Sequence, residues 1–111
     1  SSAASDVYKR QKLNLVLGTI LEASKNLKAK KPAYILKIDF GTKVGLKYTS
    51  AQITNYSLKE LIGRQVVAVC NLPSKKVAGF TSEVLILGAV SGKNVHLLRP
   101  DIKLENGTLI G

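Results

Sequence analysis

At 111 residues the chain has the length of one domain with a core of its own, and an apolar share of 45% excludes a disordered polypeptide. No apolar run approaches the roughly 18 residues that a bilayer-spanning helix needs. The single cysteine, Cys70, excludes an internal disulfide and makes a reducing cytosol the expected compartment. Seventeen Lys and Arg against seven Asp and Glu leave a net charge of +10. That balance suits plain solubility, the lysine enrichment of a thermophile or a footprint for nucleic acid, and the distribution of the charge decides among them.

Residues 1–12 read as a polar lead without the hydrophobic stretch of a secretory signal, ending in the basic cluster Lys9, Arg10 and Lys12. Residues 13–23, rich in Leu, Val, Ile and Thr, read as a strand with Gly18 as a bulge or bend. The loop 24–33 follows, closed by Pro32, and carries Lys25, Lys28, Lys30 and Lys31 without one acid. Residues 34–40 alternate cleanly, with Tyr34, Leu36, Ile38 and Phe40 on one face and Ile35, Lys37 and Asp39 on the other. Gly41-Thr42-Lys43 reads as a short turn and 44–53 as a third strand.

Ser57 and Glu60 have capping-box spacing, Leu58, Leu61 and Ile62 share a helical face, and Gly63 suits the position after the last turn. Strands are expected at 65–70 and 82–89. Between them, 71–83 carries the acid-free pair Lys75 and Lys76, the turn formers Pro73 and Gly79, and polar Asn71 and Ser82 where each strand meets the loop. A further strand at 95–98 and a terminal hairpin, 102–105 and 108–110 about a type I′ turn at Asn106-Gly107, complete the chain.

Three strands, a short helix and two strands is the order of an OB-fold. The expected class is therefore all-β: a five-stranded Greek-key barrel over 13–94, with one short helix and extra C-terminal strands in 95–111. In that fold the loops joining strands one and two, and four and five, flank one binding face. Here those are the two acid-free lysine loops, so two clusters far apart in sequence would face one groove. Residues 66–70 and 84–87 are apolar on both faces, unlike the alternation of a half-wet sheet. Something must cover the outer face, and a homodimer built through 95–110 is the expected arrangement.

Catalytic chemistry is thin. One histidine, His96, and one cysteine cannot build a zinc site. Cys70 reads as a small buried hydrophobe. Asp39, Glu60 and Glu83 are isolated, and no Gly-rich phosphate loop precedes a helix. No enzyme activity and no cofactor are expected.

Lys31-Pro32-Ala33-Tyr34 through Asp39-Phe40-Gly41, Ser50-Ala51-Gln52-Ile53-Thr54, Glu60 through Val69 and the loop 71–83 to Asn106-Gly107-Thr108 resemble, in that order, the tRNA-binding domain family. This family is also appended to methionyl- and phenylalanyl-tRNA synthetases. The likeness covers 13–110 and is greatest to the stand-alone CsaA branch. It implies an OB barrel, homodimers built through C-terminal additions, recognition of tRNA by shape, and an export-related chaperone activity toward unfolded or precursor polypeptides. The family's RNA-contacting positions fall on Lys30, Lys31, Asn71, Lys75, Lys76, Ser82 and Leu85. The chain departs from the family pattern at Asn14 and Val16, where Asp and Arg are usual, at Leu85, where many synthetase-linked members have Met, and at Lys76, where relatives often have Arg. Lysine supplies charge there without a bidentate fork.

Two readings follow. In the first, Lys28, Lys30, Lys31, Lys75 and Lys76 meet the phosphates of tRNA or tRNA-like RNA, while Asn71 and Ser82 bond to its backbone or to an unpaired base. With four Tyr and two Phe, shape readout fits better than single-strand stacking. Phe80 is placed either to stack or to anchor the loop. In the second, the dimer is primarily a polypeptide-binding secretion chaperone and RNA binding is vestigial. Neither involves membrane insertion.

Overall fold

The structure, a computed structural model, describes residues 13–77 and 79–111. The expected lead 1–12, with Lys9, Arg10 and Lys12, and Ala78 lie outside the described residues. A five-stranded antiparallel sheet in the order β3-β2-β1-β4-β7 curls into a nearly closed barrel, as expected for an OB-fold. Strand β1 (Leu15–Lys25) spans both sides of it. Its first half pairs with β4 (Gln65–Val69), from Leu15↔Val69 to Thr19↔Gln65, and its second half pairs with β2 (Tyr34–Asp39). The register with β2 breaks between Ile20 and Glu22, so the irregularity lies there and not at Gly18. Gly18 answers a packing demand instead: a Cβ at that position would stand 2.6 Å from Phe40 Cδ1 and 2.8 Å from Ile38 Cγ2.

Alternation in β2 works as the sequence predicts, and Tyr34, Leu36, Ile38 and Phe40 are buried in the core with Val16, Ile20, Leu61, Val66 and Ala68. The expected turn at 41–43 winds into one helical turn, α1 (Gly41–Val44). Gly45 N donates to Gly41 O at 2.7 Å, and positive φ at both glycines (86° and 85°) lets the chain enter and leave so tightly. Strand β3 (Leu46–Ala51) is correspondingly shorter than 44–53.

Helix α2 (Leu58–Leu61) carries the predicted capping box: Glu60 N donates to Ser57 Oγ at 3.2 Å, and Ser57 N donates to Glu60 Oε1 at 2.9 Å. Gly63 follows with φ 86°.

The strand expected at 82–89 is broken into pieces. Short β7 (Leu85–Ile86) pairs with β4 at Ala68↔Ile86 and Val69↔Leu85. Thr49 Oγ1 donates to Val84 O at 2.8 Å and Glu83 N to Tyr48 O at 2.9 Å, bringing β3 against the same segment. Beyond it, β8 (Gly88–Ser91) leaves the barrel to pair with β9 (Asn94–Leu97). Gly88 permits this, because a Cβ there would meet Val95 Cγ1 at 2.6 Å. Residues 71–83 are not an open loop either, since they contain the hairpin of β5 (Lys75–Val77) and β6 (Phe80–Ser82).

The terminal hairpin does not form. Thr108 N does donate to Glu105 O across a turn, but the arms pair elsewhere. Gly107 N donates to Leu17 O, Leu17 N to Thr108 O and Ile110 N to Leu15 O, which lays the tail along the free edge of β1. Asn106-Gly107 is needed for a close backbone crossing: a Cβ at Gly107 would lie 2.9 Å from Phe40 O, and one at Gly41 would lie 2.6 Å from Asn106 O. Buried Gln65 pins the tail, donating through Nε2 to Leu104 O at 2.6 Å and accepting from Leu104 N at 3.1 Å. Thr19 Oγ1 donates to Asn106 Oδ1 at 2.6 Å. All five residues of β4 are buried, so the chain's own tail supplies part of the cover expected from a second copy.

Candidate nucleic-acid interface

The two lysine loops meet, and a buried asparagine arranges it. Asn26, 8% exposed, donates through its backbone N–H to Ala33 O at 2.9 Å, closing the loop at its base. Its Oδ1 accepts from Lys28 N at 3.2 Å, the side-chain-capped turn that asparagine favours. Its Nδ2 donates to Ser50 Oγ at 3.1 Å on β3, and Ser50 N donates in turn to Ser82 Oγ at 2.9 Å on β6. One chain of side-chain bonds thus ties the first loop to the hairpin. Lys28 then crosses the gap: a Cβ built on Gly79, which turns the hairpin with φ 72°, would stand 3.6 Å from Lys28 Cδ and 3.9 Å from its Nζ.

Lys30 and Lys31 stand exposed on the same loop. The hairpin ladder pairs Lys75 with Ser82 and Lys76 with Thr81. Because successive strand residues point to opposite faces, the two lysines serve opposite sides of the ribbon. Lys75 and Ser82 line a slot of about 350 Å³ with Leu72, Pro73 and Leu85. On the other side, Thr81 lines a shallower depression of about 400 Å³ with Tyr48 and Phe80. Phe80 is half-buried there, and Lys37 Nζ lies 6.0 Å from the Tyr48 ring centroid.

The polar ends of the loop have structural partners. Asn71 Oδ1 accepts from Asn14 N at 2.7 Å, fastening the hairpin's base to the start of the barrel. Ser82 Oγ, which accepts from Ser50 N, keeps its hydroxyl proton to donate. Leu85 is 54% exposed. Glu83 is the acid that lines the slot, and its charge is met: Oε1 accepts from Tyr48 N at 2.9 Å, and Oε2 is 3.9 Å from Lys47 Nζ. The surface therefore presents Lys28, Lys30, Lys31, Lys75 and Lys76 with little opposing charge, a field that attracts a polyanion. Sequence reading passes over Asn26, Ser50 and Tyr48. An asparagine opening a lysine loop is the one signal that points to Asn26.

Burial pushes the Cys70 thiol up to about 11 against a smaller lowering by Lys47, so it stays protonated at neutral pH. His96 is exposed on β9. Among the described residues no group of three or more His, Cys, Asp and Glu could hold a metal ion, and no helix is long and apolar enough to cross a membrane.

Comparison with known proteins agrees with the geometry. A family model described as a putative tRNA binding domain matches residues 15–109. The chain is 36% identical over 104 residues to a methionine–tRNA ligase of Thermococcus onnurineus, a match covering 89% of this chain and 13% of that protein. It thus spans a small part of the synthetases it matches. Among solved structures it is similar to a CsaA chaperone protein from Picrophilus torridus, with a TM-score of 0.91 and 48% identity over 95% of this chain and 97% of that one. A chaperone CsaA from Bacillus anthracis gives 0.89 and 48% over 95% and 96%. A protein described as MetRS-related from Pyrococcus horikoshii gives 0.83 and 25% over 96% of each chain.

Proposed function

This chain belongs to the tRNA-binding domain family, and on that premise we propose that it is a cytosolic, non-enzymatic module that grips tRNA-like RNA by shape and phosphate contacts. The observation that carries this reading is the seat of Lys28 against Gly79, which joins the two lysine loops into one surface. Lys28, Lys30, Lys31, Lys75 and Lys76 meet phosphates. Asn71 holds the hairpin base, and Ser82 and Leu85 face the bound RNA. With about four to six phosphates neutralised, log affinity falls against log salt with a slope of roughly −4 to −5. A filter-binding titration of total tRNA across a salt series measures it. Lys75→Glu/Lys76→Glu abolishes tRNA retention; a double variant that binds like the wild type would sink the assignment.

A second reading, polypeptide binding associated with protein export, draws support from the two CsaA chaperone structures at 48% identity. The tail also leaves apolar side chains in solvent, with Ile102 63% and Leu109 73% exposed. These residues suit a homodimer built through 95–111, the arrangement proposed here. Light scattering tests it, and a clean monomer near 11.9 kDa at micromolar concentration refutes it. If the double Glu variant still suppresses aggregation of an unfolded client, polypeptide and RNA use different surfaces.

A further inference from the structure

The outer face of the barrel beside the hairpin carries an aromatic ring that phosphate contacts leave unused. Tyr34 is buried and donates through its hydroxyl to Tyr56 O. The Tyr56 hydroxyl accepts from Leu97 N, and its ring lies under Arg64, whose Cζ is 5.0 Å from the centroid. Phe40 is wholly buried. Tyr48 differs: it is 40% exposed, on the edge strand β3. Its backbone is nevertheless held on both sides, since Tyr48 N donates to Glu83 Oε1 and Tyr48 O accepts from Glu83 N, each at 2.9 Å. The ring thus stands in solvent on a fixed stem, lining the depression of about 400 Å³ with Ser74, Phe80, Thr81 and Glu83. That volume falls within the roughly 300–1,000 Å³ of small-ligand sites. Cations stand beside it. Lys37, opposite Tyr48 in the β2–β3 register, brings Nζ to 6.0 Å from the ring centroid. Lys76, opposite Thr81 in the hairpin ladder, rises on the side that Thr81 lines. An exposed ring with ammonium groups beside it is complementary to a nucleobase on an anionic backbone.

We infer that Tyr48 is the stacking platform for one unpaired base of the RNA held by the lysine loops, with Lys37 and Lys76 on the flanking phosphates. The inference rests on the RNA reading above and adds Tyr48 and Lys37 to its contacts. Stacking by itself favours no base, because every base has a π-face. The rim imposes no preference either: the Thr81 hydroxyl can donate or accept, and the Glu83 carboxylate keeps lone pairs beyond those that meet Tyr48 N and Lys47. The site therefore detects that a base is unpaired, not which base it is.

The test uses the full chain and RNA hairpins of one length, each with a single bulged nucleotide carrying G, A, U, C or no base, titrated by fluorescence anisotropy at fixed salt. All four bases are expected to bind about tenfold more tightly than the abasic bulge and within about threefold of one another. Tyr48→Ala brings the base-containing hairpins down to the abasic affinity and leaves the abasic affinity as it was. Tyr48→Phe keeps the wild-type ratio, because the ring and not the hydroxyl stacks. Tyr48→Trp gives the chain its one tryptophan, whose emission is expected to fall on binding a bulged base and to hold with the abasic RNA. Equal binding of all five hairpins by the wild type overturns the platform while leaving the phosphate reading in place. So does an equal loss for abasic and base-containing RNA in Tyr48→Ala, which would make the ring merely structural. Failure to bind any hairpin removes both readings. If an uncharged apolar peptide lowers the base-containing hairpins to the abasic affinity, the ring belongs to polypeptide and the inference is overturned.

Discussion

The two ends of this barrel are held by different chemistry. At the closed end, the tail crosses β1 and α1 backbone to backbone: glycines sit where a Cβ would strike a carbonyl, Gln65 binds both polar groups of Leu104, and Phe40 fills the space beside Gly18. At the lysine end, loop and hairpin are joined by a short run of side-chain bonds, Asn26 to Ser50 to Ser82, with charged side chains outside. The first arrangement tolerates no added atom. The second is held by fewer and more exposed groups, and the function proposed for it depends on charge and donors. The tightest backbone packing therefore lies at one end, and the surface proposed for recognition lies at the other.

The comparison breaks most visibly at Gly18. A valine there places Cβ 2.6 Å from Phe40 Cδ1 and 2.8 Å from Ile38 Cγ2, two side chains wholly buried in the core. Overpacking of this kind costs about 3 kcal/mol or more, a large share of a small domain's stability. Gly18→Val is expected to lower the urea midpoint severely or prevent folding. A midpoint equal to the wild type would show that the closed end is looser than its geometry. Gln65→Ala ranks next: it strands Leu104 N and O, costs about 2 kcal/mol and speeds amide exchange in 104–110, leaving the hairpin's exchange unchanged.

What the sequence makes legible follows the same division. Local signals with one physical meaning succeed: the alternation of Tyr34, Leu36, Ile38 and Phe40, the Ser57/Glu60 box, and the glycine after the helix. The barrel order and the meeting of the lysine loops are also legible, because strand count and charge runs survive in one dimension. Errors gather where glycine has more than one use. Gly18 reads as a bulge and proves to be a packing gap. Asn106-Gly107 reads as a hairpin turn and proves to be a backbone crossing. Which of these a glycine serves depends on what faces it across the fold, and that partner is 22 residues away for Gly18 and 67 for Gly107, both being Phe40. The Asn26 network is missed for a related reason: Ser50 and Ser82 become its partners only once the barrel closes.

At the lysine end, a change that conserves charge sharpens the comparison. Asn26→Ala removes the support of Lys28 N and the link to Ser50 without altering net charge. It is expected to cost about 1 kcal/mol in tRNA binding, roughly fivefold, at an unchanged salt slope. Lys30→Ala does the reverse, lowering the slope by about 1. Equal slopes in both variants would mean that Lys30 meets no phosphate.

The smallest effect lies between the two ends, on α2, and depends on pH. The Glu60 carboxylate accepts the backbone N–H of Ser57 and is held below the ordinary carboxylate range first by that bond, then by the Ser57 hydroxyl, with Arg64 adding a little. A carboxyl depressed in the folded state contributes stability above its unfolded pKa and loses it as pH falls through its folded pKa. Glu60→Ala should therefore be less stable than the wild type at neutral pH, by a margin that narrows as the buffer passes below the usual glutamate range. Urea midpoints of both proteins across an acid series measure that margin. The margin should be independent of tRNA, because Glu60 lies on neither the slot nor the lysine loops. A margin that held constant down to the lowest pH would show that the carboxylate's charge is irrelevant to the cap. One that grew with bound RNA would tie α2 to the recognition end after all.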